Sequence, residues 1–278
     1  MKALILTIAS QAMRRAATVM MMGTALAVIG CSTAAARAKT LEHHVLKFPN
    51  HFTSALNRYG ALTSLTAKGK VLLQKGLLEG VTVDPAARSG HVGYFQNWTC
   101  LHQHLPAIVA FKDSKGFIVT GTLRQPHAAT KTSVAFIERY TKTSAVAMSV
   151  KVQLNCPKAA TWSEPMRFSF YFPAALFLGG QCDAESVHKI ITTYPITQKK
   201  LASTSYGATK IWLHGREHTI EITADKTSQL MIIDGRGWGQ PVLIVRLDVR
   251  QPWQTKNKTA AGYHATFGAT ISFKAKMP

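Results

Sequence analysis

Residues 146–154 read Val-Ala-Met-Ser-Val-Lys-Val-Gln-Leu, in which apolar side chains occupy every second position. Successive side chains of a strand point to opposite faces, so this stretch would bury one face and expose the other to solvent. The same pattern returns at Met166–Phe172, at Leu243–Val249 and at Phe267–Phe273. The sequence therefore predicts antiparallel strands, each with one buried face and one exposed face.

Turn-forming residues separate further strand patterns. Asp113-Ser114-Lys115-Gly116 and His214-Gly215-Arg216 each lie between two such patterns and predict hairpins. Only Phe52–Tyr59 and Ala175–Leu178 suggest short helical turns. We expect an all-β protein, an antiparallel two-sheet β-sandwich with at most short helical turns. No repeat or linker divides the chain, so residues 39–278 are predicted to form a single domain after an N-terminal signal segment.

The first 38 residues have the pattern of an export signal. Arg14 and Arg15 precede an uncharged apolar run that ends at Cys31 and is short for a membrane-spanning helix. Val28-Ile29-Gly30-Cys31 resembles a bacterial lipobox, which predicts a lipidated Cys31. Ala36-Arg37-Ala38 offers the alternative of cleavage before Lys39. The expected location is the periplasm or outer membrane as a lipoprotein, and otherwise the secreted fraction.

The charge balance is strongly basic. The chain has 33 Lys and Arg against 13 Asp and Glu, a formal +20. Four of the positive residues and none of the negative ones precede Lys39, which leaves +16 on the remainder. This surface favours anionic partners, such as acidic glycan or anionic lipid of the cell envelope. The basic residues are spread along the chain rather than clustered, which disfavours nucleic acid.

Cysteine and histidine spacing gives no metal site. With Cys31 lipidated or removed, an oxidising compartment would allow one disulfide among Cys100, Cys156 and Cys182 and would leave one thiol. His102 and His104 could face one side of a strand, but no third ligand is evident. We predict neither a metal nor a cofactor.

The most distinctive local stretch is 232–240, Ile-Ile-Asp-Gly-Arg-Gly-Trp-Gly-Gln. If this stretch is extended, the side chains of Asp234, Arg236 and Trp238 point to the same side. A carboxylate acceptor, a guanidinium with paired donors and an indole ring that can stack on a pyranose would then lie together, as in a sugar-binding site. The alternative is an Asp–Arg pair with Trp238 sealing the edge of the sandwich.

Catalytic motifs are not evident in the sequence. Glycosidase chemistry needs two carboxylates about 5–10 Å apart, and the candidates Glu217 with Glu221 or Asp183 with Glu185 are explained equally well as solvated carboxylates facing Lys and Arg. Gly235, Gly237 and Gly239 precede no helix pattern and so form no phosphate loop. No Gly-x-Ser-x-Gly elbow supports a serine hydrolase.

One resemblance covers the C-terminal half. The strand Phe168–Pro173, the step Leu178-Gly179-Gly180, the segment Asp234–Gly239 and the strand Leu243–Leu247 occur in this order. Residues 146–273 thus resemble the β-sandwich modules that accompany secreted bacterial glycoside hydrolases. The resemblance implies carbohydrate binding without an attached catalytic barrel.

These observations predict an exported, basic, non-catalytic β-sandwich that binds carbohydrate, with Asp234, Arg236 and Trp238 as contacts and acidic glycan as the ligand. One alternative is a structural or assembly protein of the envelope, held to the membrane through a lipid on Cys31. A further alternative is a polysaccharide-cleaving enzyme.

Overall fold

The structure is a computed structural model, and it describes residues 44–47, 52–67, 70–82, 93–98, 105–113, 115–124, 133–199, 201, 205–250, 258–259 and 263–275. The predicted signal and lipidation site at Cys31 lie outside these residues, as do Cys100, His102 and His104. Residues His43–Pro278 belong to one compact unit.

Strands make up most of the described chain, all of them paired antiparallel. Their bounds are β1 (His44–Lys47), β2 (Phe52–Leu56), β3 (Leu62–Ala67), β4 (Lys70–Leu73), β5 (Lys75–Thr82), β6 (Gly93–Gln96), β7 (Ala107–Ala110), β8 (Gly116–Arg124), β9 (Ser133–Ser144), β10 (Ala147–Cys156), β11 (Ala160–Pro173), β12 (Gly180–Ser186), β13 (Ile191–Ile196), β14 (Ser205–His214), β15 (His218–Ala224), β16 (Ser228–Asp234), β17 (Val242–Val249), β18 (Lys258–Thr259) and β19 (Tyr263–Ala275). Within the described residues, helical structure is limited to two 3₁₀ turns, Ala174–Phe177 and Gly235–Trp238, and no helix is long and apolar enough to cross a membrane.

The pairings form a continuous sheet that curls into two halves. The first half runs β1-β2-β3-β5-β11-β17-β16. The second runs β12-β14-β15-β19-β10-β9-β8-β7, with β13 beside β12. Strand β14 joins them, because Ser205 and Ala208 also pair with β16. The predicted all-β antiparallel sandwich is confirmed.

The core lies between the two halves and follows the alternation read from the sequence. Met148, Val150, Val152 and Leu154 of β10 are buried, while the intervening Lys151 is exposed. Strand β11 faces the core with its aromatic rings, but the prediction of an exposed second face is wrong there, because Arg167, Ser169 and Tyr171 are buried as well. Its rings continue from Phe168 through Phe170 and Phe172 to Phe177 at centroid separations of 4.9, 6.5 and 6.3 Å. These side chains belong to one apolar cluster with members from both halves.

The structure confirms some of the predicted turns and contradicts one. Both hairpins are confirmed, as β7–β8 and β14–β15. The 3₁₀ turn Ala174–Phe177 matches the helical turn expected near Ala175–Leu178. The helical turn expected over Phe52–Tyr59 is wrong: Phe52–Leu56 is a strand, because its backbone groups pair with β1 on one side and β3 on the other.

The two described cysteines do not form the expected disulfide. Cys156 and Cys182 are both buried and free. Burial raises the pKa of Cys156 to about 11 and that of Cys182 to about 12. Both thiols therefore stay protonated near neutral pH and are unreactive there.

Candidate functional site

A group of polar side chains lies on the outer face of the first half-sheet, opposite the core. Strand register sets Glu79 beside Arg167, Ser169 beside Arg246, and Asp248 beside Gln229. Each of these side chains points away from the core, since its neighbours along the strand face the core. We call the following residues the candidate site: Glu79, Arg167, Ser169, Tyr171, Arg246 and Asp248.

Glu79 is 2% exposed, and hydrogen bonds hold its carboxylate in place. The Ser169 hydroxyl donates to its Oε1 at 2.6 Å, and the Tyr171 hydroxyl donates to its Oε2 at 3.0 Å. Arg167 Nε lies 3.9 Å from Oε1. Burial and the Glu79 charge raise the pKa of Tyr171, so the phenol keeps its proton and remains a donor.

Two guanidinium groups meet beside this carboxylate. Arg167 Nη2 donates to Glu164 Oε2, and Arg246 Nη2 lies 3.7 Å from the same oxygen. The Nε atoms of both arginines are buried and have no hydrogen-bond partner among the described residues. Burial and the charge of Arg246 lower the pKa of Arg167 to about 10. Each arginine therefore keeps one buried N–H donor without an acceptor among the described residues.

Asp248 lies at the end of the site where the Arg167 and Arg246 guanidinium groups meet. Its Oδ1 accepts from the backbone N–H of Val249 at 2.7 Å. Burial raises the pKa of Asp248 to about 6, against the lowering effect of Arg167 and Arg246. A cavity of about 120 Å³ opens between Asp248, the two arginines, Gln229 and Met231. A carboxyl that titrates near neutral pH and faces a cavity can take up and release a proton.

An apolar wall continues the face toward the other end of the strands. Its members are Ala61, Leu77, Tyr171, Ile233, Val242 and Ile244, with Trp98 and Met231 packed against them. Lys75 Nζ lies 4.1 Å from the centre of the Tyr171 ring and 5.8 Å from that of Trp98. Burial lowers the pKa of Lys75.

The site predicted from sequence lies elsewhere on the fold. Gly235–Trp238 is a 3₁₀ turn, not an extended segment, because the Asp234 side chain caps it by accepting from Arg236 N. Asp234 also receives the guanidinium of Arg236 at 2.7 Å and the N–H of Leu201 at 2.7 Å. Trp238 is 60% exposed, so it does not seal the sandwich edge. Ligand binding by Asp234, Arg236 and Trp238 stays a prediction.

The carboxylates considered as a possible glycosidase pair form ion pairs or hydrogen bonds with other side chains. Glu217 pairs with Lys70, and Glu221 accepts from Trp212 at 3.0 Å. Asp183 lies 3.0 Å from His214, and Glu185 lies 2.8 Å from Lys189. Within the described part of the chain, no three His, Cys, Asp or Glu side chains converge as a metal site.

Sequence reasoning missed the candidate site although its strands were recognised. The alternation places Arg167, Ser169 and Tyr171 on the polar face of one strand, and Arg246 and Asp248 on the polar face of another. The missing information was that β5, β11 and β17 are neighbours, since Glu79 is 88 residues from Arg167 in the chain. A charged pair at alternate positions of a strand, as at Arg246 and Asp248, was the available signal.

Solved structures share this fold. An aldose epimerase homologue from Caenorhabditis elegans matches with a TM-score of 0.56 at 8% identity, over 84% of this chain and 99% of that one. A galactose 1-epimerase from Lactobacillus acidophilus matches with a TM-score of 0.52 at 9% identity, over 86% and 100%. At this identity the likeness shows the fold alone. No protein-family model matches the sequence, and no curated protein matches it either.

These comparisons correct the functional expectation. The expected class was a non-catalytic binding module. That prediction was wrong: two of the structures that share the fold, over 99% and 100% of their chains, are named as an aldose epimerase homologue and a galactose 1-epimerase. The coarser part of the sequence resemblance holds: the chain has a β-sandwich fold found in carbohydrate-related proteins.

Proposed function

We propose that this protein is a carbohydrate-active enzyme that moves protons on a sugar, as in 1-epimerisation of an aldose, at the candidate site. The observation that carries the proposal is Asp248, a carboxyl whose pKa burial raises to about 6 beside two arginines and a cavity. The names of the proteins that share the fold agree with this class of reaction.

The chemistry needs few groups. Interconversion of two anomers requires a base that takes the proton from the 1-hydroxyl while the bond from C1 to the ring oxygen breaks. The ring oxygen must then gain a proton, and ring closure on the other face of C1 reverses the steps. In this scheme Asp248 takes the proton from the 1-hydroxyl and passes it to the ring oxygen released from C1; on ring closure it takes that proton back and returns it to the 1-oxygen. Arg167 and Arg246 donate hydrogen bonds to the sugar oxygens on which negative charge develops.

The charges of the site favour a neutral sugar. Glu79, Glu164 and Asp248 oppose Arg167 and Arg246, so the site has no excess positive charge despite the formal +20 of the chain. The preference for acidic glycan that follows from overall charge has no counterpart here. We expect faster turnover of neutral aldoses than of uronic acids.

The test is the rate of mutarotation of freshly dissolved α-D-glucose and α-D-galactose, followed by polarimetry against buffer alone. We expect acceleration by the wild type, with a rate that rises as pH passes through about 6 because Asp248 ionises. Asp248→Asn should lower the rate about 100-fold or more, since the amide cannot take the proton.

The matched control is Asp113→Asn, which neutralises a carboxylate that is exposed in the β7–β8 hairpin. It should retain the wild-type rate. A wild type no faster than buffer on any neutral aldose, or equal losses in the two variants, would overturn the proposal.

A further inference from the structure

A buried polar network lies directly behind the candidate site, on the core side of β5. Glu138 of β9 is 0% exposed. Its two carboxyl oxygens accept from Asn97 Nδ2 at 2.9 and 3.0 Å. Asn97 is also 0% exposed, and its Oδ1 accepts from the backbone N–H of Leu78 at 2.8 Å. The Asn97 side chain thus supplies the acceptor that a neighbouring strand would give to β5.

Burial favours the neutral, protonated form of Glu138. The Tyr140 hydroxyl lies 3.2 Å from Glu138 Oε2 and 3.1 Å from the carbonyl oxygen of Gly60. One hydroxyl proton cannot serve both acceptors. If Glu138 is neutral, its own proton goes to the Tyr140 oxygen and the Tyr140 proton goes to Gly60. An ionised Glu138 would instead be a fully buried charge, and no cation among the described residues contacts it.

The network connects to the site through the backbone. Leu78 precedes Glu79, which points to the opposite face of β5 and holds Ser169 and Tyr171. Trp98, which packs on the apolar wall, follows Asn97, and its carbonyl accepts from Asn57 Nδ2 at 3.3 Å.

Asn57 also forms the turn that ends at the wall. Its Oδ1 accepts from the N–H of Tyr59 at 2.9 Å and from that of Ala61 at 3.1 Å. This is the turn whose Gly60 carbonyl Tyr140 holds. Glu138 therefore braces three features at once, namely β5, the Trp98 segment and the turn carrying Ala61.

We propose that Glu138 in its neutral form, acting through Asn97 and Tyr140, is a positioning residue that holds the Glu79 carboxylate and the apolar wall of the candidate site in place, and that loss of its proton at alkaline pH releases them. The effect on activity rests on the proposed function, whereas the effect on structure does not.

The direction of the pH dependence follows from burial. Burial raises the pKa of Glu138 to about 8, while hydrogen bonds from Tyr140 and Asn97 lower it. Among the described residues, Tyr140 is the titratable group in contact with it, and burial raises the pKa of that phenol as well. The folded state thus binds a proton that the unfolded state releases from about pH 4.5 upward. Stability from this group is complete at low pH and declines through pH 8.

The first experiment needs no substrate. Hydrogen exchange of peptides covering β5, corrected for intrinsic rates, is compared at pH 6 and pH 9 in the full chain. In the wild type we expect protection to fall about 100-fold, because the folded state keeps this proton up to a pKa of about 8, two units above pH 6. Glu138→Gln should remove this fall, since the amide has no proton to lose in this range, accepts from Asn97 through Oε1 and donates to Tyr140 through Nε2.

Glu217→Gln is the matched control, because Glu217 is an exposed carboxylate and should leave the wild-type fall unchanged. Equal falls in the wild type and in Glu138→Gln would overturn the proposal, as would a wild type whose protection does not change with pH.

The second experiment measures kcat against pH. The wild type should lose kcat above about pH 8 with little change in KM, and Glu138→Gln should keep the rise near pH 6 but lose the alkaline fall. An alkaline fall unaltered in Glu138→Gln would refute a positioning role in activity. A wild type with no activity would count against the proposed function alone, because the exchange measurement still decides the structural role.

Discussion

At the scale of single residues, the candidate site depends on which side chains are buried with their partners. Glu79 and Ser169 are almost fully enclosed and satisfy each other, while Arg167 and Arg246 retain buried Nε donors without partners among the described residues. Unsatisfied buried donors are costly in a folded protein. Such donors beside a cavity fit a site that a ligand completes.

Gly60 combines a positive φ with a close contact at the position of an added Cβ. Its φ is +82°, and a Cβ there would lie 2.3 Å from Val119 Cγ1. Gly60→Ala should therefore lower the free energy of unfolding by about 2–4 kcal/mol, through backbone strain and overpacking together. Urea denaturation followed by circular dichroism measures this.

Gly239 provides the matched control for Gly60. Its φ is +76°, but nothing lies within 4 Å of the added Cβ. Gly239→Ala should cost only the strain of the left-handed conformation, about 1–2 kcal/mol. Equal losses in the two variants would show that contact with Val119 does not contribute.

At the scale of elements, alternation determines which side of a strand is buried. In β10, Val152 is 0% exposed and faces the core, whereas Lys151 is exposed on the other side. The same alternation along β11 puts aromatic rings in the core and the polar side chains of the candidate site on the opposite face, where they are also buried. A one-residue shift of register would exchange the two sets.

Val152→Thr tests this burial with an isosteric change. The hydroxyl would enter an apolar core, and we expect a loss of about 1–2 kcal/mol in the free energy of unfolding. Lys151→Thr changes the exposed neighbour and should stay within about 0.5 kcal/mol of the wild type. Thermal and urea denaturation of both variants give the comparison, and a larger loss at Lys151 would contradict the assignment of the buried face.

At the scale of the whole molecule, the basic surface and the site have different electrostatic character. The chain carries a formal +20, yet at the candidate site Glu79 and Asp248, with the adjacent Glu164, oppose two arginines. Overall charge acts on encounter and on association with anionic surfaces. The groups within the cavity, by contrast, act on the bound ligand.

Processing of the N-terminus decides where this surface operates. We propose that Cys31 is lipidated, as the lipobox pattern indicates. The mature protein should then partition into the detergent phase of Triton X-114, with an intact mass that fits a lipid-modified N-terminus at Cys31. Cys31→Ala should move it to the aqueous phase. An unmodified mass beginning at Lys39 would instead indicate ordinary signal cleavage.

The sequence by itself determined the strand class, both hairpins and the buried face of the main strands, because these depend on contacts between near neighbours in the chain. It did not determine that Phe52–Leu56 pairs on both sides, nor that Asp234 would cap a 3₁₀ turn, since both depend on groups supplied from elsewhere. Only the tertiary structure brought Glu79, Arg167 and Asp248 together. Their meeting requires β5, β11 and β17 to be adjacent, and strand order is set by packing of the entire sandwich rather than by any local pattern.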